Sequence, residues 1–347
     1  METKIISLST QRQEGLQLAA TLLKEGHLVA FPTETVYGLG ADGLNGPAVR
    51  NIYLVKGRPL DNPSILHVAS KQQALRLWSE VPESAHTLMD TFWPGPLTII
   101  LKKSDIIPPE VTGGLDTVAV RMPSDENARE MIRLADVPVA APSANLSGKP
   151  SPTTCRHVTE DLYGRVPLIL DGGDCRYGVE STVISLVDGP VVLRPGIISP
   201  EMLAMALKTP VAVSSSVLNP LKSGEVAASP GMKYKHYSPN ADVIVVLGDP
   251  GNAAEKISSL YEEAENNGKK PAIAATEQTK SFYKTKTYAI LGDREHPETM
   301  CASLFRTLRN LDETADTIFA EGIPAEAAGL AFMNRLLRAA GFHVIQA

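Results

Sequence analysis

FPTETVYGLG, residues 31–40, stands between the apolar run HLVA and a segment with helical periodicity. A buried strand at this point would normally lead straight into a helix, but here hydroxyl and carboxyl side chains, a tyrosine and two glycines come between them. The stretch has neither the G-x-x-x-x-G-K-[ST] of a Walker P-loop nor the G-x-G-x-x-G of a dinucleotide-binding fold. It therefore predicts a turn in an α/β fold that holds a small molecule by other means.

The composition is typical of a globular protein. The 347 residues are 43% hydrophobic and 21% charged, and no apolar run is long enough to span a membrane. The N-terminus becomes polar at once, which predicts no secretory signal, and Cys155, Cys175 and Cys301 have no C-x-x-C spacing. We therefore expect a cytoplasmic protein with neither a disulfide framework nor a zinc site.

The formal net charge of the chain is −6. This balance argues against broad, sequence-independent binding of nucleic acid, which needs an extended basic face. It is compatible with a local positive pocket for a small anion.

The order of predicted elements indicates two domains. From KIISL at 4–8 to PVVLR at 190–194, many short strands are mixed with helices, which predicts an α/β or α+β sheet domain. From about Pro210 the chain is rich in Ser, Pro and Gly, the composition of a linker. Strands and helices then alternate regularly, as in a parallel Rossmann-like domain. We divide the chain into domain 1–209, linker 210–240 and domain 241–347.

The first cluster of candidate site residues begins at the end of the predicted helix AVRNIYLVKGR, residues 48–58. Lys56 and Arg58 end this helix, where basic residues commonly complement the helix dipole. Asn62 and His67 follow closely, and His67 lies inside an apolar strand, a place more typical of a packed core histidine than of a ligand. The proximity of the four residues in the sequence makes an anion site a competing interpretation, since arginine and lysine both bind phosphate and carboxylate.

Further candidates lie at the ends of later strands. TVAVR, residues 117–121, places Thr117 and Arg121 on one strand face, where Arg121 is either an ordinary surface residue or a carboxylate ligand. AAPSANLSGKPS, residues 140–151, is either a Ser/Pro turn or a ligand loop. A nucleophilic serine is not expected, because G-x-S-x-G is absent. Ser181 and Arg194 add a hydroxyl and a cation at two more loop edges.

The combined motifs resemble one known family. FPTETVYGL, KGRP with NP and LH after it, FWPGPLT, VAVRMP, APSANLSG and ESTVI are similar to the YrdC/YwlC-type threonylcarbamoyl-AMP synthases, and HYSP with the C-terminal domain is similar to their two-domain form. The resemblance covers almost the whole chain. It implies a twisted mixed-sheet YrdC-like domain with a concave basic site. It also implies synthesis of L-threonylcarbamoyladenylate from L-threonine, bicarbonate and ATP with release of pyrophosphate, the first step of threonylcarbamoyladenosine formation at tRNA position 37.

The resemblance also implies a role for individual residues. The family's K-x-R…S-x-N set falls on Lys56, Arg58, Ser143 and Asn145, with Lys56 and Arg58 as the catalytic pair. The residues that would contact threonine, with FPTETVYGLG forming a cup around it, are Thr35, His67, Arg121, Ala141 and Ser181. Those that would contact ATP are Arg58, Asn62, Thr117, Ser143, Asn145, Ser151, Arg194 and a linker tyrosine, Tyr237 or its rival Tyr234.

The same resemblance predicts the cofactor and partners. Mg²⁺ would be bound through the ATP phosphates and not by protein ligands. Because carbamates and mixed anhydrides hydrolyse readily, the site should exclude water, and our own hypothesis is that residues 210–240 form a lid that carries Tyr237 over the nucleotide. The product would pass to the downstream tRNA threonylcarbamoyl transferase, with tRNA or double-stranded RNA as a further possible partner and no membrane. Three alternatives stay open: a double-stranded RNA-binding or ribosome-maturation module, a carbamoyl-adenylate enzyme with another amine donor, and a purely structural protein.

Overall fold

The computed structural model describes residues 1–60, 62–219 and 237–347. Within these ranges eleven strands form one mixed sheet and five strands form a second, all-parallel sheet. The predicted combination of a mixed-sheet unit and a smaller Rossmann-like unit is confirmed. The boundaries predicted at 209 and 240 stay a prediction, because residues 220–236 lie outside the described part of the chain.

The strands of the larger sheet are β1 (Lys4–Ser7), β2 (Val29–Phe31), β3 (Gly38–Asp42), β4 (Ile65–His67), β5 (Leu97–Lys102), β6 (Thr117–Arg121), β7 (Val139–Ala140), β8 (Leu168–Asp171), β9 (Thr182–Ser185), β10 (Val191–Arg194) and β11 (Ala212–Val213). They are ordered β1-β8-β2-β3-β7-β4-β6-β5-β9-β10-β11. The smaller sheet consists of β12 (Asp242–Leu247), β13 (Pro271–Thr276), β14 (Tyr288–Gly292), β15 (Thr317–Glu321) and β16 (Val344–Gln346), in the order β14-β13-β15-β12-β16.

The helices of the first unit are α1 (Arg12–Lys24), α2 (Gly46–Lys56), α3 (Lys71–Leu75), α4 (Glu83–Phe92), α5 (Pro109–Thr112), α6 (Glu126–Ala135), α7 (Cys155–Leu162) and α8 (Pro200–Leu207). Those that pack on the smaller sheet are α9 (Pro250–Asn266), α10 (Pro297–Asp312) and α11 (Ala328–Ala339). Short 3-10 helices span Ser215–Val217 and Lys280–Tyr283. Among the described residues, no helix has the length and apolar character needed to cross a bilayer.

The stretch 31–40 forms a β-hairpin. Its position in the sequence suggested instead a strand that leads directly into a helix. β2 and β3 pair antiparallel, with Phe31 opposite Gly38, and α2 begins only at Gly46. β3 was not predicted because its sequence, GLGAD, is rich in residues that are rare in strands. Residues 32–37 are the hairpin connection, and Thr33, Glu34 and Thr35 in it are all buried.

Strand register in the middle of the larger sheet brings distant polar residues together. β4 and β6 run parallel with His67 opposite Arg121, and β5 runs antiparallel to β6 with Thr98 opposite Arg121. β9 lies on the other side of β5, where Thr98 Oγ1 is 2.8 Å from Ser181 Oγ. His67, Arg121 and Ser181, which are far apart in the sequence, therefore lie close together around Thr98.

The two sheet units share an apolar interface. Val36 and Val179 of the first unit belong to the same buried cluster as Phe305 and other core residues of the second. Gly178 allows this close approach: its φ is +69°, and a Cβ there would lie 2.5 Å from the α10 backbone at Ala302. The second unit therefore packs directly behind one wall of the site.

Candidate active site

A single cleft contains most of the residues predicted to bind substrates. Its empty volume is about 730 Å³, a figure that includes the solvent-filled space at the open mouth. The residues that line it are Thr33, Thr35, Val36, Tyr37, Gly38, Lys56, Arg58, Ile65, His67, Arg121, Ala141, Pro142, Ser143, Asn145, Ser147, Gly148, Glu180, Ser181, Arg194 and Tyr237. Among them are four lysine or arginine cations and one carboxylate, so the cleft is basic although the chain is acidic.

The end of α2 directs two cations to the cleft. Asn45 caps the helix by accepting a hydrogen bond from the Ala48 amide, and Gly57 ends it in the left-handed conformation with φ 63°. Glycine adopts this conformation without strain, which lets the chain turn between Lys56 and Arg58. Lys56 is 3% exposed. Arg58 is half-buried, with its guanidinium 5.8 Å from the Tyr53 ring centroid.

Lys56 holds the loop that follows β7. Its Nζ donates to the carbonyl oxygen of Ser143 and, at 2.5 Å, to that of Asn145. Burial lowers the pKa of Lys56 well below its ordinary value, and the charge of Arg58 lowers it further. The Lys56 amine is thus held in place by two backbone carbonyls beside the cleft.

The loop itself is ordered by its own side chains. Ser143 Oγ donates to Asn145 Oδ1 at 2.5 Å, and Asn145 Nδ2 donates to the carbonyl oxygens of Leu146 and Lys149 at 2.8 and 2.9 Å. A backbone bridge pairs Ser143 with Gly38 at the start of β3. The serine-rich loop and the β2–β3 hairpin therefore form adjoining walls.

Arg121 is fixed from three sides at the opposite wall. Its Nη1 donates to Thr35 Oγ1 at 2.9 Å, its Nη2 lies 2.8 Å from Glu34 Oε1, and its Nε donates to the Gly95 carbonyl at 3.3 Å. Burial alone would raise the pKa of Glu34, but Arg121 and the Ser124 amide outweigh it and the pKa is lowered. Arg121 and Glu34 form a buried ion pair in which the guanidinium faces the cleft.

His67 is neutral at physiological pH. Its side chain is buried, and burial together with the neighbouring charge of Arg121 lowers its pKa to about 3. Its Nδ1 lies 3.2 Å from the Ile65 carbonyl oxygen. A neutral imidazole beside Arg121 adds hydrogen-bonding capacity to this wall without adding charge.

Ser181 and Arg194 form a third polar wall. Arg194 donates from Nε to the Ser181 carbonyl and from Nη2 to Ser181 Oγ, both at 3.1 Å. Burial lowers the pKa of Arg194 to about 10, so the guanidinium remains charged at neutral pH. Tyr237 lies next to this wall and is 5% exposed, with its ring 5.2 Å from that of Phe305. The rival Tyr234 lies outside the described residues.

Three predicted nucleotide ligands do not line the cleft. Ser151 is fully buried, and its hydroxyl donates to Glu180 Oε1 at 2.5 Å. Asn62 is also fully buried, and within the described part of the chain neither Oδ1 nor Nδ2 has a hydrogen-bond partner. Thr117 is half-buried at the start of β6, at the other end of the strand from Arg121. Their contact with a nucleotide stays a prediction, as do the roles of the residues that line the cleft.

Two carboxylates were not singled out from the sequence. Glu34 pairs with Arg121, and Glu180 lines the cleft and pairs with Arg335 of α11, whose Nε donates to Oε2 at 2.8 Å. Both glutamates lie within motifs quoted above, FPTETVYGL and ESTVI. Each glutamate stands beside hydroxyl residues in an otherwise apolar strand or turn. This pattern indicates a buried, paired carboxylate, because a carboxylate buried in such a segment requires a partner.

Comparison with known proteins agrees with this architecture. Residues 21–196 match the Sua5/YciO/YrdC family, described as telomere recombination, and residues 198–341 match the threonylcarbamoyl-AMP synthase C-terminal domain. The threonylcarbamoyl-AMP synthase of Pyrococcus abyssi is 46% identical over 99% of both chains. That of Bacillus subtilis is 47% identical over 94% of this chain and 93% of its own.

A solved structure extends the similarity to three dimensions. The crystal structure of P. abyssi Sua5 complexed with L-threonine matches with a TM-score of 0.94 and 46% identity, covering 99% of this chain and 100% of that one. The two domain matches and the full-length relatives agree with each other and with the two-sheet fold. The chain belongs to the threonylcarbamoyl-AMP synthase family.

Proposed function

We propose that this protein synthesises L-threonylcarbamoyladenylate from L-threonine, bicarbonate and ATP and releases pyrophosphate, as the first step towards threonylcarbamoyladenosine at tRNA position 37. The observation that carries the proposal is the gathering of Lys56, Arg58, Arg121 and Arg194 around one cleft of a protein whose net charge is −6. A carboxylate, a bicarbonate and a triphosphate repel one another, at a cost of about 4 kcal/mol per close pair at an effective dielectric near 20. The four cations offset that repulsion where the reactants meet.

Threonine is assigned to the side of the cleft where Arg121, Thr35 and Ser181 lie. Arg121 offers a guanidinium for the amino acid carboxylate, and its orientation is set by Glu34 and Thr35. Neutral His67 and the small side chain of Ala141 complete this side. The crystal structure of the P. abyssi relative complexed with L-threonine supports threonine as a ligand of this family.

ATP is assigned to the wall between α2 and β10. Arg58 and Arg194 would bind phosphate, and Ser143 and Asn145 would contribute polar groups from the loop after β7. The buried side chain of Asn62 has unpaired polar atoms in the described structure, which cost about 1–3 kcal/mol each and suit a group that a ligand will satisfy. Thr117, Ser151 and Tyr237 are proposed as further contacts.

The proposed reaction needs no covalent enzyme intermediate. The threonine amine and bicarbonate form a carbamate and water; a carbamate oxygen then bonds to the α-phosphorus of ATP while the bond to pyrophosphate breaks. Lys56 and Arg58 would stabilise the negative charge that spreads over the phosphoryl oxygens. Because the carbamate and the mixed anhydride both react with water, the buried walls also serve to exclude it.

Mg²⁺ is proposed as the cofactor, bound mainly by the phosphates, where it would neutralise part of their charge. Among the described residues, no group of three or more His, Cys, Asp or Glu side chains is placed to hold a metal ion. Oxygen atoms of ATP are therefore its proposed ligands. The basic residues of the chain would position the phosphates around it.

The product and its surroundings are part of the proposal. Because the product hydrolyses readily, we propose that it is handed to the downstream tRNA threonylcarbamoyl transferase, in the cytoplasm. Cys155, Cys175 and Cys301 are all free thiols, which suits that reducing compartment. A gel-shift with tRNA or double-stranded RNA that survives moderate salt would instead favour direct RNA binding.

The decisive test is a pyrophosphate-release assay in which threonine, bicarbonate and Mg-ATP are omitted one at a time. We expect release only when all are present, because the carbamate must form before it attacks ATP. Mass spectrometry should detect threonylcarbamoyladenylate as the second product. Equal release with another amine in place of threonine would assign the site to a different carbamoyl-adenylate enzyme.

The hydroxyl and the ring of Tyr237 should each contribute to how the enzyme binds and consumes ATP. We expect Tyr237→Ala to raise the KM for ATP or the ratio of ATP consumed to product formed. It should also lower the free energy of unfolding by about 3–5 kcal/mol, because the ring packs on Phe305. Tyr237→Phe is the matched control, since it keeps the packing and removes only the hydroxyl. Wild-type kinetics and product yield in Tyr237→Ala would remove Tyr237 from the site.

A further inference from the structure

An arginine of the second sheet unit reaches the wall of the cleft. Arg335 lies on α11, is fully buried, and donates from Nη1 to the Pro195 carbonyl at 2.7 Å and from Nη2 to the Glu180 carbonyl at 3.2 Å. Its Nε donates to Glu180 Oε2 at 2.8 Å. Glu180 precedes β9 and Pro195 follows β10, so this one side chain joins both strand ends to α11.

Glu180 connects this arginine to Ser151 and to the wall formed by Ser181 and Arg194. Its Oε1 accepts from Ser151, and its neighbour Ser181 contacts Arg194. Burial would raise the pKa of Glu180, but the charges of Arg335 and then Arg194, together with the Ser151 hydrogen bond, outweigh it and the pKa is lowered. The carboxylate is therefore ionised between two arginines, one from each sheet unit.

A negative charge at this position would be harmful to a phosphate site if it were not compensated. Glu180 lines the same cleft as Arg194 and would repel an approaching phosphate. If Arg335 were absent, Arg194 would be the cation that acts most strongly on the buried Glu180 carboxylate. A closer pairing of Glu180 with Arg194 would withdraw that guanidinium from the ligand.

We propose that Arg335 is a positioning residue for the nucleotide side of the active site: by binding Glu180 from behind, it compensates the carboxylate and keeps Arg194 directed to the phosphates. This inference rests on the proposed function, since it requires ATP in the cleft. It gives the C-terminal unit a defined task in the reaction. Arg194 and Ser151 are the residues proposed to contact ATP. Arg335 positions both of them through Glu180.

The test combines two substitutions in the full-length protein. Arg335→Met keeps much of the side-chain volume and removes the charge, and we expect it to raise the KM for ATP by about tenfold or more, the size of effect expected for one lost charge-assisted contact. The KM for threonine should change much less. Adding Glu180→Gln removes the uncompensated charge, so the double variant should recover an ATP KM within about threefold of that of Glu180→Gln alone.

Arg294→Met is the matched control. Arg294, which is half-buried, also pairs with a glutamate, the buried Glu321 of the second unit, and neither residue lines the cleft. It should reproduce any general loss of stability, followed by urea unfolding, with a wild-type ATP KM. Arg335→Lys, which cannot span both Glu180 and Pro195, should restore part of the ATP affinity.

The outcomes separate this inference from the proposed function. Wild-type protein that releases no pyrophosphate would contradict the function itself. An active wild type in which Arg335→Met behaves like Arg294→Met, or in which Glu180→Gln fails to recover the ATP KM, would overturn the role of Arg335 alone. Binding of an ATP analogue with a methylene group between the α- and β-phosphates provides the same comparison without turnover.

Discussion

Replacing Lys56 by alanine should lower kcat/KM for threonine-dependent pyrophosphate release by about 10²–10³-fold, the usual cost of removing one preorganised group that stabilises transition-state charge. The substitution removes a cation from the cleft. It also leaves the carbonyl oxygens of Ser143 and Asn145 without the ammonium group that they now accept from. Both losses act at the same wall, so a large effect is expected from a single side chain.

Steady-state assays with varied ATP would check this expectation. Lys56→Met fills the space of the aliphatic stem and lacks the amine, so it isolates the loss of the amine from the loss of packing. Lys102→Ala, at an exposed position at the end of β5, is the control for loss of a lysine elsewhere in the same sheet. Activity of Lys56→Ala within twofold of the Lys102→Ala value would exclude Lys56 from the catalytic machinery.

Replacing Arg121 by methionine should abolish measurable threonine binding and lower the free energy of unfolding at neutral pH by about 3–5 kcal/mol. The binding loss follows from the carboxylate contact assigned to Arg121. The stability loss follows because Glu34 would remain as a buried carboxylate without its cation; the two side chains are 4% and 6% exposed in the ion pair. Calorimetric titration with threonine and urea unfolding would measure the two effects.

The stability effect should depend on pH in a defined direction. In the wild type the pKa of Glu34 is lowered, so its stabilising contribution is complete above the ordinary value of 4.5 and is lost as the pH falls through the lowered folded-state value. In Arg121→Met burial would dominate and raise the pKa of Glu34, which makes the ionised form a cost at neutral pH. The difference in unfolding free energy between the two proteins should therefore shrink as the pH falls from neutrality towards 4.5.

A double variant tests the predicted loss of stability independently of threonine binding. Glu34→Gln combined with Arg121→Met leaves no uncompensated charge, so it should regain part of the lost stability while threonine binding stays absent. A double variant no more stable than Arg121→Met would show that the cost comes from packing of the guanidinium and not from the isolated carboxylate.

Elements with a strong local signal could be predicted from the sequence. β5 and β6 are apolar strands with few competing interpretations, and α6 and α10 have clear helical periodicity. β3, β11 and β16 could not be predicted, because each is short or glycine-rich and its own residues give little strand signal. α8 was missed although Ser199 caps it and Pro200 begins it. Serine at the N-cap followed by proline at the first helical position is a local signal for this helix.

The candidate site could be predicted in part because its residues cluster at the ends of successive strands. Lys56 and Arg58 are neighbours in the sequence, and the loop 143–149 carries its own hydrogen bonds. Whether Thr117 belongs to the site could not be predicted from the sequence. Alternation places it on the same strand face as Arg121, but of these two residues only Arg121 lines the cleft. The two residues lie at opposite ends of β6, and which end meets the cleft depends on neighbouring strands.

The amino-acid sequence alone is enough to predict which chemical groups are available, because local periodicity indicates the strands and helices and short motifs place cations and hydroxyls at their ends. Which charges compensate one another depends on tertiary packing. Arg335 and Glu180 are 155 positions apart, and nothing local to either predicts their contact. The reason is physical, because the partner of a buried charge is set by which surfaces pack together, and burial makes that partner obligatory.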